Sequence, residues 1–77
     1  MCLGVPGKII SRNDNSAVAD INGNQVKVSV ALTPEAEVGK YVLIHAGFAM
    51  QIIDEHIARE TMNYVLELQR LGEAYEN

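Results

Sequence analysis

A chain of 77 residues, 48% hydrophobic and 21% charged, has room for one folded domain. The net charge of −4, with six scattered basic residues, disfavours a nucleic-acid surface, which needs concentrated positive charge. A single cysteine excludes an internal disulfide or a zinc site made by this chain alone, and it indicates the cytoplasm. Without a signal-peptide pattern or an apolar run of about 20 residues, we expect neither export nor a membrane span.

The first fifty residues predict five short β-strands. Asn-Asp-Asn at 13–15 is typical of a turn, and Asn22-Gly23 predicts a tight hairpin because both residues tolerate positive φ. After that hairpin, valines alternate with polar residues, so one face of the strand is expected to be apolar. The predicted strands cover residues 8–11, 17–21, 25–30, 41–46 and 48–53. Five strands without intervening helices predict a mainly β fold, a small antiparallel barrel.

A C-terminal helix is predicted over residues 54–72, with Asp54 as its N-cap and Gly72 at its end. We therefore expect a single domain over 1–77, in which 1–53 form the barrel and its N-terminal arm and 73–77 form a frayed tail. One helix face is expected to pack on the barrel; it comprises Ile57, Thr61, Tyr64, Val65, Leu68 and Leu71. Met62 and Leu66 widen that face, which leaves a partner-binding surface open as an alternative.

Cys2, the only cysteine, is the first candidate functional residue. We expect Met1 to be removed, because the next residue is small; the α-amino group beside the thiol would then favour the thiolate. Burial as a small hydrophobic residue is the alternative for Cys2. The residues that follow it are expected to form a short, stiffened arm that presents the thiol: Leu3, Gly4, Val5, Pro6 and Gly7.

His45 is the second candidate, within a strand of apolar residues. Such a histidine is most often a hydrogen-bonded structural residue, and a metal-binding or catalytic role is the alternative. His56, in the first helical turn, is expected to be solvated. A thiolate and an imidazole suit a metal such as iron, but two ligands leave open positions that a partner would complete. Metal binding by two protein ligands with open coordination positions is typical of a carrier.

Two other functions remain as alternatives. Cys2 with His45 as its base would make an N-terminal nucleophile hydrolase, although no third residue is evidently placed to orient the histidine. A small barrel that binds proteins without a metal is the other. A nucleic-acid-binding barrel is disfavoured, since 5% aromatic residues offer little stacking surface.

Three motifs together resemble the small hydrogenase-assembly chaperones of the HypC/HybG/HupF group. They are MCLGVPGK at the start, the Asn22-Gly23 hairpin, and VGKYVLIHAGFAM leading to Asp54-Glu55. The resemblance covers nearly the whole chain. It implies a five-stranded OB-like barrel with a C-terminal helix, a non-enzymatic metallochaperone for the large subunit of nickel-iron hydrogenase.

The resemblance also implies partners and site residues. The partners are a HypD-type iron-sulfur scaffold protein and the large-subunit precursor, and the transient cargo is iron carrying cyanide and carbon monoxide. Cys2 would contact iron and His45 would assist, while the arm, His45, Gly47 and Phe48 would touch partners. Val26 and Lys40 depart from the family pattern, which bears on partner choice. The isolated chain is expected to be monomeric.

Overall fold

The computed structural model describes the backbone of residues 4–76 and the side chains of residues 4–72. Five strands precede one helix along the chain. The strands are β1 (Val5–Asn13), β2 (Ser16–Ile21), β3 (Asn24–Ser29), β4 (Tyr41–His45) and β5 (Phe48–Ile53), and the helix is α1 (Glu55–Glu76). The mainly β architecture with a C-terminal helix is thus confirmed.

The five strands close into a barrel in the order β1-β2-β3-β5-β4. Every neighbouring pair is antiparallel except β3 and β5, which meet in parallel through the single pair Ser29 and Phe48. The predicted hairpin between β2 and β3 is present, and both of its turn residues, Asn22 and Gly23, have positive φ, 51° and 93°. The barrel therefore combines local hairpins with the long-range pairing of β1 and β4, and the single contact of β3 with β5 completes it.

The barrel interior is narrow and lined by small aliphatic side chains. Val28 and Val30 are buried and Val26 is half-buried, as the alternation in this strand predicts. The barrel core comprises Ile9, Ala17, Ala19, Val28, Val30, Ala36, Val42, Ile44 and Ala49. These side chains are all aliphatic and almost completely shielded from solvent, so chemistry is expected on the outside.

Helix α1 begins at its predicted cap, because the backbone N–H of Ile57 donates to Asp54 Oδ1 at 2.9 Å. It continues to Glu76, four residues past the predicted end at Gly72. Gly72 does not adopt the positive φ of a C-terminal cap, and a helical glycine costs only about 1 kcal/mol.

The helix lies on the outer surface of β1 and β4, and only part of the predicted face packs there: Thr61 and Val65 of that face are half-buried. Ala58 is buried and Met62 and Val65 are half-buried, whereas Tyr64 and Leu68 are 71% and 55% exposed. Periodicity locates an apolar stripe but does not say which edge packs, and small Ala58 allows the closer approach to the barrel. Within the described residues, no helix is long and apolar enough to cross a membrane.

Candidate functional site

The start of the described chain runs along the end of β4. Val5 pairs with Ile44, and Gly4 just before it is buried with φ of +145°. A Cβ atom at Gly4 would lie 3.0 Å from the carbonyl oxygen of Ile44 and 3.0 Å from Leu43 Cγ. Only glycine fits this close approach, so the chain is held against the β4 edge where it leaves the barrel.

His45 is the last residue of β4 and pairs with Phe48, the first residue of β5. The two residues between them form a tight turn with positive φ, 54° at Ala46 and 84° at Gly47. Because this turn ends the sheet, His45 is exposed to solvent rather than packed in the core. Its imidazole is therefore available to a ligand or a partner.

Apolar side chains surround this histidine on the outside of the barrel. Leu43 lies on the same face of β4 as His45, because alternate strand residues point the same way. Phe48 and Met50 are 45% and 46% exposed. Met50 sits in a bulge of β5, where the pairing shifts between Leu43 and Ile44. Sequence reasoning did not single out Leu43 and Met50, although their positions flanking His45 and Phe48 in one hairpin would have indicated them.

The arm is shorter than predicted. Pro6 and Gly7 belong to β1 and are buried, and Gly7 faces the barrel interior, where Ile44 Cδ1 would lie 2.8 Å from an added Cβ. The Pro-Gly pair therefore serves the fold, because the narrow barrel has no room for a side chain at Gly7. Cys2 and Leu3 lie outside the described residues.

The other predicted features lie elsewhere. His56 is exposed on α1 and pairs with Glu60 at 3.1 Å, as expected of a solvated residue. Among the described side chains, no three His, Cys, Asp or Glu form a metal-binding group. Val26, a departure from the family pattern, packs against the core, whereas Lys40 is exposed. The structure thus brings together Gly4, His45 and Phe48 at one end of the β4–β5 hairpin.

Three surface grooves, of about 260, 360 and 410 Å³, are lined by residues other than His45. The first lies between α1 and the barrel, with Pro6, Ala58 and Met62 among its lining residues. His45 is instead flanked by the exposed apolar side chains of Phe48 and Met50. Such a surface suits contact with another protein better than enclosure of a small substrate.

Comparison with known proteins finds similarity over the barrel and the helix. The HupF/HypC family model matches residues 1–65, which include the barrel and the first half of α1. The chain is 45% identical over 75 residues to the hydrogenase maturation factor HypC of Azotobacter chroococcum mcd 1, covering 96% of this chain and 89% of that protein.

Two further relatives carry the same name. HypC of Synechocystis sp. PCC 6803 is 38% identical over 78 residues, covering 94% of this chain and 99% of that protein. HypC of Escherichia coli K12 is 41% identical over 69 residues, covering 82% of this chain and 77% of that protein. The family model covers most of the chain and these relatives are 38% to 45% identical to it, so the chain belongs to the HupF/HypC family.

Proposed function

We propose that this chain is a hydrogenase maturation factor that carries iron, with its cyanide and carbon monoxide ligands, to the large subunit of a nickel-iron hydrogenase. It acts without catalysing a reaction, by binding a HypD-type scaffold protein and then the large-subunit precursor. Family membership and the names of the relatives support the maturation role. The carrier role is supported by the arrangement around His45.

The observation that carries the proposal is the register of β1 on β4. Val5 pairs with Ile44 and Gly4 lies against Leu43, so the first described residue is at the end of β4 that carries His45. Two residues separate Cys2 from Val5, and each extends the chain by about 3.5 Å at most. We propose that this tether lets the thiol reach the imidazole.

A thiolate and an imidazole form an incomplete ligand set for iron. Strong-field cyanide and carbon monoxide fill further positions, and a partner supplies what remains. An incomplete set is useful to a carrier, because cargo held by few protein ligands can be passed on. Neither ligand needs a buried pocket, which agrees with a barrel interior filled by small side chains.

The exposed apolar residues beside His45 provide the protein contact. Phe48 and Met50 project from the hairpin that holds the histidine, so a partner that reaches the iron also covers them. Gly47 contributes by allowing the turn that sets His45 opposite Phe48. Burial of such side chains in a complex contributes about 1.5–3 kcal/mol each when complete.

A Cys2-dependent hydrolase is less well supported. The three grooves described above are lined by residues other than His45, so no substrate cleft is assigned to it. A protein-binding barrel without metal accounts for the apolar surface but gives no role to an exposed imidazole beside the chain start. Action in the cytoplasm fits the lone cysteine. The chain is monomeric outside its complexes in this proposal.

The test is anaerobic co-expression with the scaffold protein and the precursor, followed by co-purification and infrared spectroscopy. We expect Cys2→Ala to abolish both complexes and the cyanide and carbon monoxide bands. His45→Ala should keep the fold and lower the band intensity per complex by about tenfold. His56→Ala is the matched control, because that exposed histidine lies on α1, and it should behave as wild type.

Undiminished complexes and bands with Cys2→Ala would overturn the carrier role. Cys2-dependent turnover of an ester or amide without these bands would favour the hydrolase. Complexes that form normally but never contain iron would favour the metal-free binding module.

A further inference from the structure

Helix α1 has a second apolar edge in addition to the one that packs on the barrel. Ala58, Met62 and Val65 face β1 and β4 or border that contact. About a quarter turn away, a stripe of side chains follows the length of the helix, and we call it the seam. It comprises Ile57, Thr61, Tyr64, Leu68 and Leu71.

The seam is mostly open to solvent. Ile57 and Leu71 are each 43% exposed, and Tyr64 and Leu68 are still more exposed. Thr61 alone is half-buried. Large apolar side chains so exposed along about four turns of one helix are not explained by packing within the described residues.

The spacing along the seam is four, three, four and three residues. This is the alternation of a heptad repeat, in which apolar residues recur on average every 3.5 positions. A stripe of this kind is narrower than the apolar face of a helix that packs on a sheet or barrel. It fits one facing helix, whose side chains interlock with those of the seam.

Charge distinguishes the possible partner helices. Glu60 and Glu67 border the free side of the seam, while Ala58 and Val65 border the side next to the barrel. Each glutamate already pairs with a neighbour on its own helix, Glu60 with His56 and Glu67 with Arg70. These exposed local pairs contribute only a few tenths of a kcal/mol, so the carboxylates remain free to meet a partner's cations.

Charge repulsion argues against a second copy of this chain as the partner of the seam. Packing two seams antiparallel would set Glu60 and Glu67 of one copy against the same residues of the other. From residue 55 to 76 the helix has five glutamates and two arginines, a net charge of −3, which adds to the repulsion. A helix edged by lysine or arginine is complementary instead.

The seam runs along α1 toward the end of the barrel where β1 begins. The last residue of β5, Ile53, pairs with Tyr41, and Tyr41 also pairs with Lys8 of β1. Helix α1 starts at this end of β4, two residues after Ile53. The groove under the helix is lined by Pro6, Asn22 and Leu66, so α1 advances toward the end of the barrel where β1 begins. A protein that receives the arm is therefore within reach of the C-terminal part of the seam.

We propose that the seam of α1 docks against a basic-edged amphipathic helix of the protein that receives the iron-carrying arm. This inference rests on the proposed function for the identity of that protein, either the scaffold or the large-subunit precursor. The docked helix aligns the partner before the arm enters its site, and it adds affinity through a second contact on the same molecule.

The experiment measures the dissociation constants of the purified chain for the purified scaffold protein and for the purified precursor, at low and high salt. Leu68→Gln removes an exposed apolar side chain, and Glu60→Lys/Glu67→Lys reverses the charged edge. We expect each variant to weaken binding to at least one partner by about tenfold. Charge reversal should also flatten the salt dependence of that binding.

The matched control is Glu35→Lys/Glu37→Lys, which makes the same charge change at two exposed positions of the β3–β4 loop. It should bind as wild type, and circular dichroism should show unchanged helix content for all variants. Wild-type affinity of the seam variants for both partners, with binding still lost in Cys2→Ala, would overturn this inference alone.

Two other outcomes would also overturn it. Failure of the wild-type chain to bind either protein would remove this inference together with the proposed function. Self-association of the wild-type chain in light scattering, abolished by Leu68→Gln, would identify a second copy as the occupant of the seam.

Discussion

At the scale of single residues, Gly7 shows how little free space the barrel has. An added Cβ would lie 2.8 Å from Ile44 Cδ1 and 3.1 Å from Ile21 Cγ1. Ile44 is buried, so it has little room to move away, and Gly7→Ala should lower the free energy of unfolding by about 1–3 kcal/mol. Urea denaturation measures the change.

The control for this substitution is Gly72→Ala, because a Cβ at that helical glycine would meet nothing within 4 Å. It should raise the free energy of unfolding by up to about 1 kcal/mol, since alanine is the better helix former. A destabilised Gly72→Ala, or an unaffected Gly7→Ala, would contradict the packing described for these two sites.

Residue chemistry was easier to predict from the sequence than residue environment. His45 was identifiable as a candidate, yet its exposure follows from a turn at Ala46 and Gly47 that the sequence indicated only as an interruption of a strand. Gly4 and Gly7 were expected to belong to the arm, and both instead allow a close approach of β1 and the residue before it to β4. The contacts of Gly4 and the shortest contact of Gly7 come from β4, about 40 positions away, which no local pattern reveals.

At the scale of elements, Arg12 holds the long β3–β4 loop to the barrel. Its guanidinium donates to the backbone oxygens of Asp14, Pro34 and Ala36. Arg12→Met keeps the aliphatic stem and removes these hydrogen bonds, so we expect a loss of about 1–2 kcal/mol in unfolding free energy. Hydrogen exchange should accelerate at the loop amides of Thr33 and Ala36 in particular.

Arg12→Lys is the informative comparison, because one ammonium group cannot reproduce the planar fork that reaches three carbonyls. It should recover part of the lost stability and little of the loop protection. Exchange rates in Arg12→Met equal to those of wild type would show that the loop is held by its other contacts, such as the amide of Ala36 bonded to the carbonyl of Thr33.

Strands and hairpins were predictable because their signals are local: alternating valines, and Asn-Gly between two runs of β-branched residues. The existence of α1 was predictable for the same reason. Which of its edges packs was not, because the seam is the more regular pattern and Ala58 carries little hydrophobic signal. The closure of the barrel by Ser29 and Phe48 is a contact between distant residues that no sequence period encodes.

At the scale of the whole molecule, the two halves of α1 differ: the first half packs on the barrel and the described side chains of the second half are exposed. The molecule measures 43 × 22 × 22 Å, and a helix of 22 residues is about 33 Å long, longer than the barrel it lies on. The packed residues Ala58 and Met62 lie in its first half. The second half contributes the seam residues Leu68 and Leu71, which are exposed. Fold stability and docking can therefore be separated by truncation.

A chain ending at Leu66 should keep the barrel and lose the C-terminal part of the seam, Leu68 and Leu71. We expect its free energy of unfolding to stay within about 1 kcal/mol of wild type, because helix stability comes chiefly from packing of the part that is retained. Affinity for the partner bound through the seam should fall by about tenfold. Ending the chain at Asp54 instead uncovers the surface of β1 and β4 beneath Ala58 and should cost more than about 2 kcal/mol. Equal stability of the two truncated chains would mean that α1 does not support the barrel, and full partner affinity in the longer one would remove the role of the distal helix.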